Sequence, residues 1–585
     1  MLPPGPLLLF SPDPALHNRL RQALSDDGTP HSILPLKEGI VTVGCVHPDA
    51  AAPRSHWSMS RDETTGGIFD GFLFEESSLE HAPDAMLDLE DTQVLRAANG
   101  MFLAVGADGF RRRARVITDP WGTLPIYHGE RNGSMLVSTS IPFIRSILRI
   151  PDDAFFEEGV AQFLTFGKIL DGSTLVQGIR RVGRARVVDI WEHGGSIQTS
   201  ERRYHEIVIA PEEYPGIEHD TTGAFATAME SITRRAGECL VVTLSGGLDS
   251  RVIAAAAHAG GHPVTLATQF SAPGNDAIIA REVAAALTLP HREVVFPTAL
   301  PLTHAREYTR ATNGMVSFAS YHMMWAYPDY ARLGDVMIDG AHTWIEGRWF
   351  LRNTANRIRS KEDLFRQTRD MLVQHSVLHL AHDGKRLAAM AEEVLRSLLP
   401  EPAVFASPVC AADTFNAEHL MPAHHVDLAL LQSRWCRFVS PYYDLRYTAL
   451  ISRIAERRRW RQEPQLWMLR AFAPQVASIA RSYADVRTFA TANPLLSRIP
   501  VAANRALRLA ARLTGLDTLS GRTLARPSCV WRIDYSSGEP AGVVPGFLDP
   551  DAVRVAVRRA VADAPTMIPV SAGGADPLLP ILHLL

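Results

Sequence analysis

The 585-residue sequence predicts an α/β protein: a β-rich first third, a doubly wound segment of alternating strands and helices, and a helical remainder. Three observations carry this expectation. Short apolar runs punctuated by Gly, Asp and Pro fill residues 1 to about 210. Strands and helices then alternate from residue 239, the pattern of a parallel sheet with crossover helices. Beyond about residue 355, apolar residues recur at helical spacing beneath Arg-rich polar faces. Apolar residues make up 46% and charged residues 21%, so cores are available and bulk disorder is excluded.

Taken in order, the strands of the first third are expected at 40–46, 101–105, 114–117, 135–138 and 186–190. Residues 210–216, Ala-Pro-Glu-Glu-Tyr-Pro-Gly, read as a linker. A helix is expected over 220–238. The run 239–244, Cys-Leu-Val-Val-Thr-Leu, is apolar with β-branched members, as a parallel strand buried on both faces requires. An Ala-rich helix follows over 251–259, then a strand over 263–270 and a helix over 276–287.

Charge and cysteine usage exclude several function classes. A net charge of -4 gives no steering toward nucleic acid or an anionic membrane. Cys45, Cys239, Cys410, Cys436 and Cys529 are scattered and form no CxxC pair, which fits a reducing compartment. No run reaches the ~20 apolar residues of a spanning helix, and residues 1–10 lack a basic leader pattern. The expected location is cytoplasmic. Only four of 59 basic residues are lysines, Lys37, Lys168, Lys361 and Lys385. Arginine stays charged, so proton relay by lysine is scarce in this chain.

The chemistry-bearing motif is Ser245-Gly-Gly-Leu-Asp-Ser250, set between the expected buried strand and the Ala-rich helix. Two glycines let the backbone approach an anion, loop and helix N–H groups face it, and two hydroxyls add donors. Asp249 repels a bare phosphate, but it suits a magnesium ion bound between carboxylate and phosphate. The loop lacks the length and the Lys-Ser/Thr ending of a Walker A loop, which disfavours γ-phosphate transfer. A plain strand-to-helix turn is the alternative reading of the same residues.

These residues resemble the pyrophosphate loop of the ATP-pyrophosphatase fold, and most closely that of asparagine synthetase-like proteins, with β-lactam synthetases and lasso-peptide cyclases among the relatives. Further segments carry the resemblance over about residues 60–490. Gly71-Phe-Leu and Gly100-Met-Phe-Leu-Ala-Val105 resemble glutaminase strands. Asp119-Pro-Trp-Gly-Thr-Leu-Pro-Ile-Tyr127, Ser138-Thr-Ser140 and Thr174-Leu-Val-Gln-Gly-Ile179 follow in the family's order. Asp276 to His291, with Ala280-Arg281 and Pro290-His291, resembles the stretch after the second strand.

The resemblance implies an N-terminal Ntn-hydrolase-like αββα domain over 1–212. It implies a doubly wound parallel-sheet ATP-pyrophosphatase domain over 213–495, with a helical C-terminal part, and leaves 496–585 as an extension of uncertain role. It implies an AMP-forming ligase using ATP and Mg²⁺, in which a carboxylate is adenylated, pyrophosphate leaves and an amine captures the acyl group. Ser245, Gly246, Gly247, Asp249 and Ser250 would hold pyrophosphate. Leu244 and Thr268 would lie at adenosine, Gly340 at the second phosphate motif, and Asp249 with Asp339 at the metal. Asp249 and Ser245 are the residues expected in catalysis. Tyr443, Asp444 and Glu346 are candidate substrate contacts, with Tyr442 beside them. The implied partners are a small-molecule or peptide carboxylate, an amine and a biosynthetic partner protein, without nucleic acid or membrane.

The sequence departs from the family in three places. Leu2 stands where an active glutaminase has cysteine, and Phe69-Asp-Gly-Phe72 replaces the Asn-Gly of the oxyanion hole, so no glutamine hydrolysis is expected. The second phosphate motif reads Asp335-Val-Met-Ile-Asp-Gly340 followed by Ala-His-Thr-Trp-Ile-Glu346, with Trp344-Ile345 in place of Asp-Glu. Asp339 or Glu346 is then left to carry the metal role. No lysine follows Lys385, and Arg481 or Arg487 supplies charge without a proton relay. Glutamine-hydrolysing asparagine synthase and a non-catalytic nucleotide-binding scaffold are the alternative functions.

Weaker signals have two readings each. His375, His379 and His382 on one helical face are a metal site or a polar stripe, and His419, His424, His425 and Asp427 cluster in sequence. Arg457-Arg-Arg-Trp-Arg461 is an anion patch or a solvated helix face.

Overall fold

The computed structural model describes residues 4–479, apart from short gaps (29, 35, 37–40, 48–54, 61–62, 82–85, 88–91, 236–238, 272–273, 302–303, 317–319 and 374–375) and residues 341–356. It also describes 532–534, 548 and 553. Leu2, Trp344, Ile345, Glu346, His375, Arg481, Arg487 and Cys529 lie outside the described residues.

The described residues of the first third contain twelve strands: Gly5–Phe10 (β1), His31–Leu34 (β2), Val41–Val46 (β3), Ser55–Met59 (β4), Thr65–Leu73 (β5), Gly100–Asp108 (β6), Arg113–Thr118 (β7), Tyr127–Arg131 (β8), Ser134–Ser138 (β9), Ile179–Arg181 (β10), Arg186–His193 (β11) and Ser196–Arg203 (β12). They form two antiparallel six-stranded sheets, ordered β10-β8-β9-β1-β3-β2 and β12-β11-β7-β6-β5-β4. Successive strand residues point to opposite faces, and in the central strands β1, β3, β6 and β9 both faces are buried. Leu8, Phe10, Val43, Leu103 and Val105 meet between the sheets. Leu7 and Leu9 turn outward to Leu16, Leu20 and Ile144 of the helices Pro14–Asp27 and Ile141–Leu148. Phe69, Phe102 and Ala104 turn outward on the other side, toward Leu79 and Leu95. The result is the four-layer αββα arrangement, and double burial explains why these strands read as continuous apolar runs rather than alternating ones.

Gly71 shows how tightly β5 and β6 meet. Its φ is +145°, and a Cβ there would lie 2.2 Å from the Met101 carbonyl oxygen. Gly71→Ala is expected to destabilise the protein by roughly 2–4 kcal/mol, read as a lowered thermal midpoint. An unchanged midpoint would mean that the strand relaxes at no cost.

The third sheet lies within residues 240–439. Its strands are Leu240–Thr243 (β13), Val264–Phe270 (β14), His291–Val295 (β15), Val336–Ile338 (β17) and Arg437–Val439 (β18), while Ala299–Pro301 (β16) stands apart and pairs with Arg532–Asp534 (β19). The order is β15-β14-β13-β17-β18 and every pairing is parallel. Helices Leu248–Ala259 and Asn275–Leu287 make the first two crossovers, as the alternation predicts. The chain moves one way from β13 to β14 and β15, then returns to place β17 on the other side of β13. The crevice at the carboxyl ends of β13 and β17 is therefore the topological switch point, where open α/β sheets bind ligands.

Residues 361–479 are mainly helical, as expected, but they also supply β18, which the sequence reading lacked. The run around His379 and His382 is corrected: Leu378–Leu380 is a single 3₁₀ turn, so no helical face aligns these histidines. Among the described residues no group of three or more His, Cys, Asp or Glu side chains is placed to hold a metal ion. The Arg457–Arg461 patch is also taken up by the fold. Arg458 pairs with Glu213, Glu218 and Glu463, and Arg459 is buried against Asp413 at 2.8 Å. The C-terminal extension returns to the body through β19 and through a bridge from Leu548 to Ala381.

The two halves share a buried polar seam. Tyr127 Oη donates to Asp427 Oδ1 at 2.6 Å, and Asn313 Nδ2 reaches the same oxygen at 3.1 Å and the Thr139 carbonyl at 2.9 Å. Burial raises the Asp427 carboxyl above its usual range. Arg184 and Arg203 converge on Glu418, which a π-helical turn over Asn416–Leu420 presents to them. His419 of that turn faces the Leu170 carbonyl at 3.1 Å, so it too belongs to the seam.

Candidate nucleotide and acyl-transfer site

The Ser245–Ser250 loop leaves β13 at the switch point and enters helix Leu248–Ala259 through Gly247, whose extended φ of −77° and ψ of 171° caps the helix. The helix start points at the crevice, and its dipole favours an anion there. Gly340, the residue after Asp339 at the end of β17, packs against this start. A Cβ on Gly340 would lie 2.9 Å from the Ser250 backbone nitrogen and 3.1 Å from Asp249 Cβ. Glycine is thus needed for close backbone approach, and it brings Asp339 to the loop.

The loop closes on its own side chains. Ser245 N–H donates to Ser250 Oγ at 3.1 Å, and Gly247 N–H donates to Ser245 Oγ at 3.2 Å. Gly246 N–H donates to Asp276 Oδ1 at 2.9 Å. A serine hydroxyl can both accept and donate, but the Asp276 carboxylate only accepts and occupies a donor that an anion needs. Asp276 belongs to the matched segments of the sequence, yet nothing in the sequence shows that it caps Gly246.

Each expected metal carboxylate is oriented by neutral donors. Gln465 Nε2, on helix Glu463–Phe472, donates to Asp249 Oδ1 at 3.0 Å. Thr243 Oγ1 donates to Asp339 Oδ1 at 3.0 Å, and Gln432 Nε2 approaches Oδ2 at 3.4 Å. Two oriented carboxylates beside an anion loop fit Mg²⁺, which takes one or two carboxylates and completes its octahedron with phosphate oxygens and water. Gln465 reaches Asp249 because its helix packs on the Leu248–Ala259 helix.

At the expected adenosine end, Leu244 is committed to the sheet. Its N–H donates to the Ala267 carbonyl at 2.8 Å, and its carbonyl accepts from Thr268 Oγ1 at 2.7 Å. Thr268 Oγ1 also meets His291 Nε2 at 2.9 Å, and burial lowers the affinity of that imidazole for a proton. Arg251, next after the motif, is fully buried. It donates to Val476 O at 3.1 Å, to Ile479 O at 2.8 Å and to Gly246 O at 3.3 Å, pinning the loop from below.

Of the candidate substrate contacts, Tyr443 and Asp444 lie in the seam. The Tyr443 carbonyl accepts from Trp121 Nε1 at 2.7 Å. Asp444 is fully buried, caps helix Leu445–Arg453 through the Arg446 N–H at 2.8 Å, and accepts from Asn99 Nδ2 at 3.0 Å. Tyr442 is the residue of this turn that reaches the loop, donating from Oη to the Asp249 carbonyl at 2.9 Å. Of the four lysines, Lys168 is closely surrounded though partly exposed, and burial pushes its ammonium down to about 8.

Residues 222–341 match the family model described as asparagine synthase, and they hold the loop, Asp276, Asp339 and Gly340. The similarity to that family is confined to this segment. No curated protein is matched. Three solved structures show distant likeness. The allosteric regulatory enzyme of purine biosynthesis is 11% identical over 51% of this chain and 82% of its own, with a TM-score of 0.24. Glutamine phosphoribosylpyrophosphate amidotransferase from B. subtilis, complexed with ADP and GMP, is 10% identical over 60% and 77%, with a TM-score of 0.24. NMN synthetase from Francisella tularensis is 20% identical over 23% and 59%, with a TM-score of 0.18. Fits this loose do not bear on fold or ligand. The likeness to asparagine synthase rests on the loop, the switch point and the match over residues 222–341.

Proposed function

We propose that the protein is an ATP-dependent, amide-forming ligase that adenylates a carboxylate and passes the acyl group to an amine. The observation that carries this reading is the Ser245–Ser250 loop at the switch point, with Asp249 held by Gln465 and Asp339 brought alongside by Gly340. A substrate carboxylate oxygen attacks the α-phosphorus, the bond to the β-phosphate breaks and pyrophosphate leaves. The amine then attacks the acyl carbon, loses a proton and releases AMP. Ser245, Gly246, Gly247 and Ser250 bind the leaving pyrophosphate, and Leu244 and Thr268 border the adenosine. Asp249 and Asp339 would hold Mg²⁺, which would supply neutralisation of phosphate charge. The loop has no Walker lysine, which supports cleavage between α and β rather than γ transfer.

In this reading residues 213–495 carry the chemistry and residues 1–212 have lost glutaminase function. Cys45, the one cysteine before residue 239, is buried within β3 and offers no nucleophile. The amine is therefore the substrate's own, as in macrolactam closure of a peptide of the lasso type. The carboxylate is a small molecule or a peptide, presented alone or by a biosynthetic partner protein. Free thiols at Cys45, Cys239, Cys410 and Cys436 support a cytoplasmic setting. Among the described residues no helix is long and apolar enough to cross a membrane.

One observation favours a second reading, a nucleotide-binding protein without turnover: the Asp276 carboxylate occupies the Gly246 N–H. A pyrophosphate-release assay with ATP and Mg²⁺, run against a panel of amino acids, dicarboxylic acids and peptides, separates the two. Release that depends on one carboxylate and yields AMP is the expected result. ATP binding with no release for any member of the panel would move the second reading ahead.

A further inference from the structure

Three consecutive residues, Tyr442, Tyr443 and Asp444, connect the N-terminal half to the phosphate loop. They form one rigid turn, closed by Tyr443 N–H to the Ser440 carbonyl and Asp444 N–H to the Pro441 carbonyl, both at 3.2 Å. Two of them face the N-terminal half. Trp121 Nε1 donates to the Tyr443 carbonyl at 2.7 Å, with the rings 5.9 Å apart. Asn99 makes a two-point clasp, donating to Asp444 Oδ1 at 3.0 Å and accepting from Leu445 N–H at 2.8 Å. The third faces the loop, because Tyr442 Oη donates to the Asp249 carbonyl at 2.9 Å.

Both ends of this connection are fixed. Trp121 is set by Asp119, whose buried carboxylate accepts from Trp121 N–H at 2.7 Å, from Phe102 N–H at 3.2 Å and from Thr123 Oγ1 at 2.6 Å. Burial pushes that carboxyl up to about 6 even with these donors. The Tyr442 ring packs edge-on against Phe225 at 5.0 Å and Tyr447 at 5.6 Å, so its hydroxyl has little freedom. On the far side, Asp249 meets Gly340.

We infer that Trp121 and Asn99 are positioning residues for the nucleotide loop, acting through the 442–444 turn, and that the N-terminal half is kept as the buttress of the ligase site. The chain of contacts stands on the geometry, while its catalytic meaning rests on the reading of the loop as a nucleotide site. Here two bonds fix a turn that fixes the backbone of the residue expected to hold the metal.

The test is amide hydrogen exchange, followed by mass spectrometry on the full chain without nucleotide. Trp121→Phe removes the indole N–H and keeps an aromatic ring, and Tyr442→Phe removes one hydroxyl. Each is expected to speed exchange in peptides covering 245–251 by at least about threefold, while β1, β3 and β9 keep their protection. The double variant should add little to either single one, since both break one connection. Asn99→Ala gives the same loop-selective change if Trp121→Phe fails to fold. Unchanged loop exchange in the variants, or an equal rise across the N-terminal strands, would overturn the inference. Adding ATP and Mg²⁺ to the unsubstituted protein tests the other reading separately. Absence of loop protection there would count against the nucleotide site and leave the buttress comparison standing.

Discussion

Asp249→Ala is expected to lower ATP-dependent pyrophosphate release by at least about 100-fold, with little change in thermal stability. The carboxylate is partly exposed at the loop mouth, where it accepts from the amide of Gln465. Removing it deletes charge at the point where charge develops on the leaving pyrophosphate, while the core beneath the loop stays intact. Asp249→Asn separates charge from hydrogen bonding, because the asparagine oxygen still accepts from Gln465. If both variants lose release equally, the charge matters. Activity retained by the asparagine variant would reduce Asp249 to a hydrogen-bond acceptor and remove the metal from the account.

Gly340→Ala is the second large effect. The added Cβ would meet the Ser250 nitrogen at 2.9 Å, the Asp249 carbonyl carbon at 3.0 Å and Asp249 Cβ at 3.1 Å. Two of these are backbone atoms at the start of a helix, which no side-chain rotation moves aside. The end of β17 must separate from the loop, at a cost of about 1–3 kcal/mol. A lower thermal midpoint together with weakened ATP binding, measured by calorimetry, is the expected pair of results. An unchanged affinity would show that the loop does not depend on contact with β17.

How far the sequence foretold these contacts varies with how local each one is. The strand from Leu240, the loop and the two following crossovers were readable because each is a continuous pattern of a few residues. The four layers of the first third were readable less directly. Burial of both strand faces erases the alternation that normally reveals a sheet. β18 was missed because Arg437-Phe-Val439 is three residues long between helices, and only its pairing with β17 makes it a strand. Gln465 carries no motif and lies 216 residues from Asp249, so packing alone joins them. Asp444 was a candidate substrate contact through the family resemblance. Fully buried, it instead serves helix Leu445–Arg453 and Asn99. Polar residues that bond across a seam look in sequence like polar residues that bind a ligand, and only burial and partners tell them apart.

The same distinction bears on Asp276. Its bond to Gly246 N–H is compatible with a resting loop that pyrophosphate opens, or with a loop that never turns over. Chemistry rather than geometry decides between these. The most direct measurement uses a substrate carboxylate labelled with ¹⁸O, incubated with the protein, ATP, Mg²⁺ and amine, with the nucleotide product analysed by mass spectrometry. Adenylation transfers one carboxylate oxygen to phosphorus, so the account predicts AMP carrying a single ¹⁸O. Label in inorganic phosphate with ADP as product, or amide formed while the nucleotide stays unlabelled, would contradict it.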